Sequence, residues 1–226
     1  RSGTSIKVNV TPVKDAAAAR YKIGVLIRDE LSGIGTVTYI EKVSRRFGSL
    51  GHAVCDEAHE SLTVADSSVY LCNIIGVNRG ERGRAGDLKG LFLSDDKIAS
   101  ADKVCETGLY GTFDEDYDYS ALPTVEIAPL AAATIGSAVI YSTIDGTEPQ
   151  AYDVAIAKVD PNNKQNKNFV IKVTDEDLLR ETGGIVQGMS GSPIVQGGKL
   201  IGAVTHVFLN DPTRGYGIGI EKMIGN

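Results

Sequence analysis

The segment Gly188-Met-Ser-Gly-Ser-Pro193 has the residue types of a loop that presents a nucleophile. Such a loop bends the backbone tightly and leaves the Ser190 hydroxyl exposed. The same bend turns the amides of Gly188 and Ser190 toward one point, where they could hold an oxyanion during acyl transfer. Glycine, serine and proline are also the ordinary residues of turns. The segment therefore predicts either a serine nucleophile or a turn with two solvated serines.

A serine nucleophile needs a base, and the chain contains three histidines. Imidazole suits this role because its unperturbed pKa is about 6.5. His52 is the best candidate, since it follows a predicted strand and precedes Ser190 in the chain, the order found in chymotrypsin-like enzymes. Its small neighbours Gly51 and Ala53 leave room for a peptide backbone. His59 lies in a polar stretch and is predicted to be a surface residue.

A hairpin is predicted directly after the nucleophile loop, with strands over 193–196 and 199–206 joined by Gly197-Gly198. His206 and Val204 lie on its second strand and are expected to share one face, because side chains alternate along a strand. Chymotrypsin-like peptidases line their cleft with this strand. We therefore predict that His206 and Val204 line the substrate pocket; a partly buried strand histidine is the alternative.

The acid that would orient the imidazole is ambiguous at this stage. Asp153-Val-Ala-Ile156 resembles the Asp-Ile-Ala-Leu segment of trypsin-like enzymes. Asp153, however, lies inside the second strand of a hairpin whose turn is Asp145-Gly146. Asp175 comes at the end of another predicted strand, where its alternative role is to stabilise the first turn of the following helix.

The rest of the chain is predicted to form mainly β-strands. One helix is predicted over 174–181, where Thr174 and Asp177 have capping-box spacing. The predicted strands cover 21–28, 34–42, 68–77, 139–144, 152–159 and 168–173. At 226 residues the chain fits one domain built from two β-subdomains.

Composition argues against several classes of partner. The formal net charge is −6, and the arginines of 79–84 lie in a glycine-rich loop with Glu81 and Asp87, so no nucleic-acid partner is expected. The longest weakly polar run, 128–141, is too short for the about 20 apolar residues of a membrane helix. We therefore expect a soluble domain without a transmembrane segment.

Metal and thiol chemistry are not expected either. The three cysteines include no Cys-x-x-Cys pair, so neither a zinc site nor a disulfide framework is predicted. Cys55, three residues after His52, is a weaker alternative nucleophile. The acidic tract 114–119 is predicted to be a solvated loop, with a calcium site as the alternative.

Three blocks of sequence resemble the peptidase domain of the SpoIVB family of sporulation serine peptidases. The first runs from Thr182 to Glu221 and contains the nucleophile loop; the second covers Gly33–Tyr39 and Phe47–His52. The third and weakest is Gly80–Phe92. The chain departs from the expected pattern over 55–60. The resemblance extends from about residue 20 to the C-terminus.

This resemblance implies a chymotrypsin-like fold of two β-barrels with the active-site cleft between them. It implies His52, Asp175 and Ser190 as the catalytic triad, with the amides of Gly188 and Ser190 as the oxyanion hole and no metal or cofactor. Asp175, in Lys172-Val-Thr-Asp-Glu-Asp177, is the residue that matches the family's acid, and the resemblance favours it over Asp153.

The resemblance also implies a biological setting. The expected substrate is a membrane-bound regulator of endospore formation, and in addition the enzyme itself, cleaved between the inner and outer forespore membranes. A membrane tether and a PDZ domain, usual in the family, are expected outside these residues. A catalytically silent peptide-binding relative that acts as a scaffold is the alternative. A secreted digestive protease is disfavoured by the absence of a disulfide framework and of a recognisable pro-segment.

Overall fold

The computed structural model describes residues 7–15, 19–24, 32–54 and 67–224. The chain divides into two units, Arg1–Gly33 and Ile34–Asn226. In the first unit, strand β1 (Val13–Asp15) pairs with β2 (Arg20–Lys22) in an antiparallel hairpin. The predicted strand at 21–28 overlaps β2, and its residues from 25 onward lie outside the described ranges.

The first half of the second unit is a five-stranded antiparallel sheet and a separate hairpin. Its strands are β3 (Val37–Ile40), β4 (Arg46–Ser49), β5 (Ser67–Val69), β6 (Cys72–Asn78), β7 (Asp87–Phe92), β8 (Ala99–Cys105) and β9 (Gly108–Phe113). The sheet order is β3-β4-β9-β8-β5, while β6 pairs only with β7. The single strand predicted over 68–77 is therefore two strands, β5 and β6, that belong to different sheets.

The second half of this unit forms a closed barrel. Its elements are β10 (Glu126–Ile127), β11 (Gly136–Ser142), β12 (Gln150–Val159), β13 (Phe169–Val173), helix α1 (Glu176–Thr182), β14 (Pro193–Gln196), β15 (Lys199–Phe208), β16 (Asp211–Gly219) and helix α2 (Glu221–Ile224). The order β15-β14-β11-β12-β13-β16 closes because β16 also pairs with β15. The short strand β10 adds to β15 in parallel.

Side-chain alternation fills this barrel with branched residues. Inward-facing side chains with almost no exposure include Ile140, Ile156, Ile171 and Ile194. Full burial of such a side chain is worth about 1.5–3 kcal/mol relative to exposure. These contacts make the barrel a stable support for the loops at its rim.

A second apolar cluster joins the barrel to the five-stranded sheet. Tyr110 of β9 packs with Ala203 of β15 and Ile218 of β16, all nearly fully buried. The prediction of a mainly β, chymotrypsin-like fold is confirmed. The nucleophile segment enters the barrel strand β14, and His52 follows β4 of the five-stranded sheet.

Candidate active site

The loop around Ser190 needs glycine at two positions. Gly188 and Gly191 have φ angles of +99° and +94°, a region that other residues rarely adopt. A Cβ on Gly188 would lie 2.9 Å from the Leu88 side chain, and one on Gly191 would lie 2.0 Å from the carbonyl oxygen of Thr36. The Gly-x-Ser-Gly pattern therefore reflects both backbone conformation and close packing.

Two threonines at the start of the five-stranded sheet hold this loop. The amide of Thr36 donates to the carbonyl of Ser190 at 2.9 Å. The Thr36 hydroxyl donates to the carbonyl of Gly188 at 3.1 Å, and the Thr38 hydroxyl donates to that of Gly191 at 2.7 Å. Because all three acceptors are carbonyls of the loop, its backbone is fixed against the sheet that also leads to His52.

The Ser190 hydroxyl lies against strand β15. Its Oγ donates to the carbonyl oxygen of Thr205 at 2.9 Å. Within the described residues, the amides of Gly188 and Ser190 donate to no other group. Amides that are free to donate near a serine hydroxyl are one requirement of an oxyanion hole.

His52 follows a tight turn at the end of β4. Leu50 and Gly51 both have left-handed backbone conformations, with φ angles of +67° and +69°. The His52 Nδ1 lies 2.7 Å from the carbonyl oxygen of Ala53. Since a carbonyl can only accept, this contact requires a proton on Nδ1, which leaves the neutral ring with its lone pair on Nε2. That tautomer is the one a general base needs.

The serine and the histidine contact adjacent residues of β15, Ser190 at Thr205 and His52 at His206. A Cβ on Gly51, next to His52, would lie 3.0 Å from the Thr205 methyl group. The His52 ring centroid lies 4.9 Å from that of His206. In this structure, Ser190 donates to the Thr205 carbonyl rather than to the imidazole. A shift of the hydroxyl from this carbonyl toward His52 is therefore needed before proton transfer.

Asp175 occupies a different position. It is the N-cap of α1: one carboxylate oxygen accepts from the Leu178 amide at 2.9 Å, and the other accepts from the Asp153 amide at 3.3 Å. The cap therefore lies one residue beyond the predicted Thr174. Within the described part of the chain, no hydrogen bond joins His52 to Asp175 or to the exposed Asp153. The structure thus brings Ser190 and His52 to β15 and leaves Asp175 at the start of α1.

The expectation that Val204 and His206 share one strand face is wrong. The pairing shifts between them, with Val204 opposite Gly217 and His206 opposite Tyr216, so Thr205 is an extra residue in β15. Such a bulge interrupts the alternation of side chains. Val204 is completely buried in the barrel core, whereas His206 is exposed at the rim.

The electrostatic setting of His206 keeps it neutral. Although His206 is exposed at the rim, its ring is partly shielded from water by its neighbours, and this shielding, the adjacent His52 and the charge of Lys167 lower the pKa of His206 to about 4. At neutral pH an uncharged imidazole therefore faces the His52 ring.

The other candidate groups stand apart from this site. Cys55 and His59 lie outside the described residues. Cys72 and Cys105 are free and partly buried, and burial raises the pKa of the Cys72 thiol. Across the described ranges, no group of three or more His, Cys, Asp or Glu side chains could hold a metal ion.

The acidic tract 114–119 is tied to the sheet through its backbone. The Arg45 guanidinium donates to the carbonyls of Asp114 and Tyr117, the latter at 2.7 Å. The Tyr117 ring stacks on Phe113 at a centroid distance of 4.8 Å. These contacts fix the tract by its carbonyls and one ring, and they leave the Asp116 side chain exposed.

Sequence reasoning missed Thr36, Thr38 and Thr205. The first two hold the nucleophile loop, and the third supplies the carbonyl that accepts from Ser190. Threonine is a common strand residue, and two of these contacts use backbone atoms that every residue has. The sequence therefore carries no local signal for their roles.

The chain is similar to one protein family and, more distantly, to two solved structures. The family model described as SpoIVB peptidase S55 matches residues 19–224. An inactive mutant form of Rv3671c from M. tuberculosis H37Rv aligns with 14% identity and a TM-score of 0.40, over 62% of this chain and 69% of that one. The inactive form of the Rv3671c protease aligns with 16% identity and a TM-score of 0.38, over 62% and 70%. No curated protein sequence shows significant similarity to the chain.

Within the described residues, no helix combines the length and the apolar character needed to cross a membrane.

Proposed function

We propose that Ser190 and His52 carry out peptide-bond hydrolysis in this chain, which belongs to the SpoIVB peptidase S55 family and is a serine peptidase. The observation that carries this proposal is the convergence of the Ser190 hydroxyl and the His52 ring on Thr205 and His206 of β15. The unused amides of Gly188 and Ser190 complete the arrangement.

Substrate is proposed to bind along the open edge of β15. On this edge, β15 pairs with β14 and with the residues just before it. The last hydrogen bond of this pairing is donated by the Gly191 amide to the Val204 carbonyl, at 2.8 Å. Beyond Val204, no described strand pairs with β15 on that edge. An extended peptide can add to such an edge through main-chain hydrogen bonds. Its N–H groups would then compete with the Ser190 hydroxyl for the Thr205 carbonyl.

The reaction follows from these positions. Released from Thr205, the Ser190 oxygen attacks the scissile carbonyl while His52 Nε2 takes its proton. The amides of Gly188 and Ser190 stabilise the negative charge of the tetrahedral intermediate. His52 then gives the proton to the leaving amine, and an acyl-enzyme remains on Ser190. Water, activated by His52, releases the acid product.

Asp175 is the proposed third member of the triad on the strength of the family resemblance. To orient His52, its carboxylate would have to leave the amides of Leu178 and Asp153. Asparagine caps a helix as well as aspartate does, so Asp175→Asn keeps the bond from the Leu178 amide while removing the charge and the acceptor of the longer bond from the Asp153 amide. This substitution separates the two roles of the residue.

We expect Asp175→Asn to lower kcat by about 10⁴, because an amide favours the wrong imidazole tautomer. The thermal midpoint should stay near that of the wild type. Asp153→Asn is the matched control and should change kcat little. Full activity of Asp175→Asn would assign Asp175 to the helix cap alone, and loss of activity only in Asp153→Asn would transfer the role to Asp153.

His206 is proposed to read the substrate beside the scissile bond, and Val204 to form the buried floor beneath this strand. Two substitutions separate hydrogen bonding from ring packing. His206→Phe keeps a ring against His52 but removes both nitrogens, whereas His206→Ala removes the ring as well. A site that hydrogen-bonds a substrate group discriminates against analogues that lack the group, most strongly where the bound substrate covers the site from water.

We therefore expect both variants to change the side-chain preference next to the scissile bond, as measured with a peptide library. Only His206→Ala should also disturb turnover of the remaining good substrates, since it alone removes the ring that packs on His52. An unchanged preference in both variants would show that His206 does not read the substrate.

The wider function is proposed from the family. A membrane-associated regulator of endospore formation is the proposed substrate, with self-cleavage in addition, and the space between the two forespore membranes is the proposed location. Incubation of the wild type and of Ser190→Ala with forespore membrane proteins, followed by mass spectrometry of new N-termini, tests this. Absence of Ser190-dependent cleavage of any membrane protein would contradict it, and a catalytically silent scaffold would give no cleavage of any peptide.

A further inference from the structure

Beyond His206, the outer face of the barrel carries a group of aromatic and cationic side chains. Phe208 of β15 and Tyr216 of β16 have ring centroids 4.6 Å apart. The Lys167 ammonium lies 4.8 Å from the Tyr216 ring centroid, and the Arg214 guanidinium lies 5.9 Å from that of Phe208. We call these four side chains the cationic strip.

The strip begins next to the proposed base. Tyr216 is the cross-strand partner of His206, whose ring packs against His52. Partners in a strand pair project to the same face of the sheet. The charge of Lys167 also contributes to the lowered pKa of His206, which places this ammonium within electrostatic reach of the site.

Both cations lack an acidic partner among the described residues. Lys199, at the other end of β15, pairs with Glu126 at 2.9 Å, but no ion pair forms at Lys167 or Arg214. Asp211, the acid of β16, instead accepts from the Thr213 hydroxyl at 2.6 Å. Across from Arg214, strand β13 adds a third cation, the exposed Lys172.

Arg214 is also incompletely hydrogen-bonded. Its Nε is buried and has no hydrogen-bond partner in the described part of the chain. A buried donor without a partner is costly, and a charged one more so. The protein as a whole has a net charge of −6, so these unpaired cations make the surface around them locally positive. A carboxylate brought by a ligand would pair with the exposed part of the Arg214 guanidinium and compensate the charge that the protein leaves without an acid.

The open edge of β15 leads a bound peptide past the strip. Edge residues from Thr205 toward Phe208 run away from Ser190 and toward these rings. We propose that the cationic strip is a subsite for an acidic side chain of the substrate, Asp or Glu. This side chain belongs to the part of the substrate that pairs with β15, two or more residues from the scissile bond. This inference rests on the proposed peptidase function. Charge-assisted hydrogen bonds from partly desolvated cations are stronger than neutral ones, and they add specificity.

Binding to a variant that cannot cleave tests the subsite independently of turnover. Fluorescent decapeptide libraries, each with Glu, Gln or Lys fixed at one position, are titrated against Ser190→Ala. We expect Glu to bind about tenfold tighter than Gln at one position, a difference of about 1.4 kcal/mol. The preference should weaken as salt is raised, since exposed charges are screened.

Lys167 provides the decisive variants, because it is only half-buried and its removal spares the barrel core. In the Ser190→Ala background, Lys167→Gln should remove most of the Glu preference, and Lys167→Glu should replace it with a preference for Lys. Lys199→Gln, which alters a lysine paired with Glu126 at the far end of β15, should change nothing. Arg214→Gln should act like Lys167→Gln if its thermal midpoint shows that it is folded.

Two results would overturn the subsite: equal binding of the Glu and Gln libraries at every position, or a Glu preference that survives Lys167→Gln and Lys167→Glu alike. Failure of the peptidase proposal has a different signature. In that case the wild type cleaves no library peptide and Ser190 is not labelled by a fluorophosphonate, whatever the libraries show in binding.

Discussion

Ser190→Ala is expected to lower kcat for peptide hydrolysis by about 10⁶, since loss of the nucleophile leaves only oxyanion stabilisation and binding. The loop should keep its shape. Its anchors, from Thr36 and Thr38, bind carbonyl groups rather than the Ser190 side chain. The measurements are steady-state hydrolysis of a fluorogenic peptide and covalent labelling by a fluorophosphonate, both of which should be lost.

Ser192→Ala is the matched control for this experiment. Ser192 lies two residues further along the loop, is fully buried, and its Oγ has no hydrogen-bond partner within the described residues. Replacing it with alanine removes one oxygen and should preserve both activity and labelling. If Ser192→Ala were inactive while Ser190→Ala kept its labelling, the nucleophile would have been assigned to the wrong serine.

Removal of the His52 imidazole is expected to cost nearly as much. A base and its nucleophile act as a unit, so losing either one lowers turnover by about the same factor, again about 10⁶. His52→Ala should therefore cleave no peptide at a measurable rate and should label with a fluorophosphonate far more slowly. Labelling rate and turnover are measured on the same preparation, with the thermal midpoint as a check on folding.

His206→Phe serves as the comparison, because it changes the other imidazole at the site and keeps a ring in contact with residue 52. It should remain reactive toward the fluorophosphonate. The opposite order, with His52→Ala reactive and His206→Phe inert, would make His206 the base and leave His52 as its packing partner.

The nucleophile loop could be predicted because its signal is local. Gly188 and Gly191 have left-handed backbones and no space for a side chain, so the presence of glycine at these positions indicates the loop conformation. The turn at Gly197-Gly198 is equally local, with φ angles of +58° and +77°. Barrel strands such as β12 and β13 were also predicted closely, since branched apolar residues alternate along them.

The features that sequence could not supply depend on distant parts of the chain. The bulge at Thr205 arises from how β15 pairs with β16, and it moves Val204 and His206 to opposite faces. Asp175 follows a strand and precedes a helix, so the residue type suits an N-cap and a catalytic acid equally. The break between β5 and β6 likewise depends on which sheet each segment joins.

The hydrogen bonds from Thr36 and Thr38 to the loop have a consequence for folding. They span 152 and 153 positions of the chain, so they form only after its beginning and its end have met. Contacts of such long range are entropically costly and tend to form late. A nascent chain that still lacks residues 188–191 has no nucleophile loop. A complete chain in which these hydrogen bonds have not yet formed has the loop, but the loop is not held in place. Proteolytic competence therefore depends on contacts that form late in folding, so the chain is protected from its own activity while most of it is still unfolded.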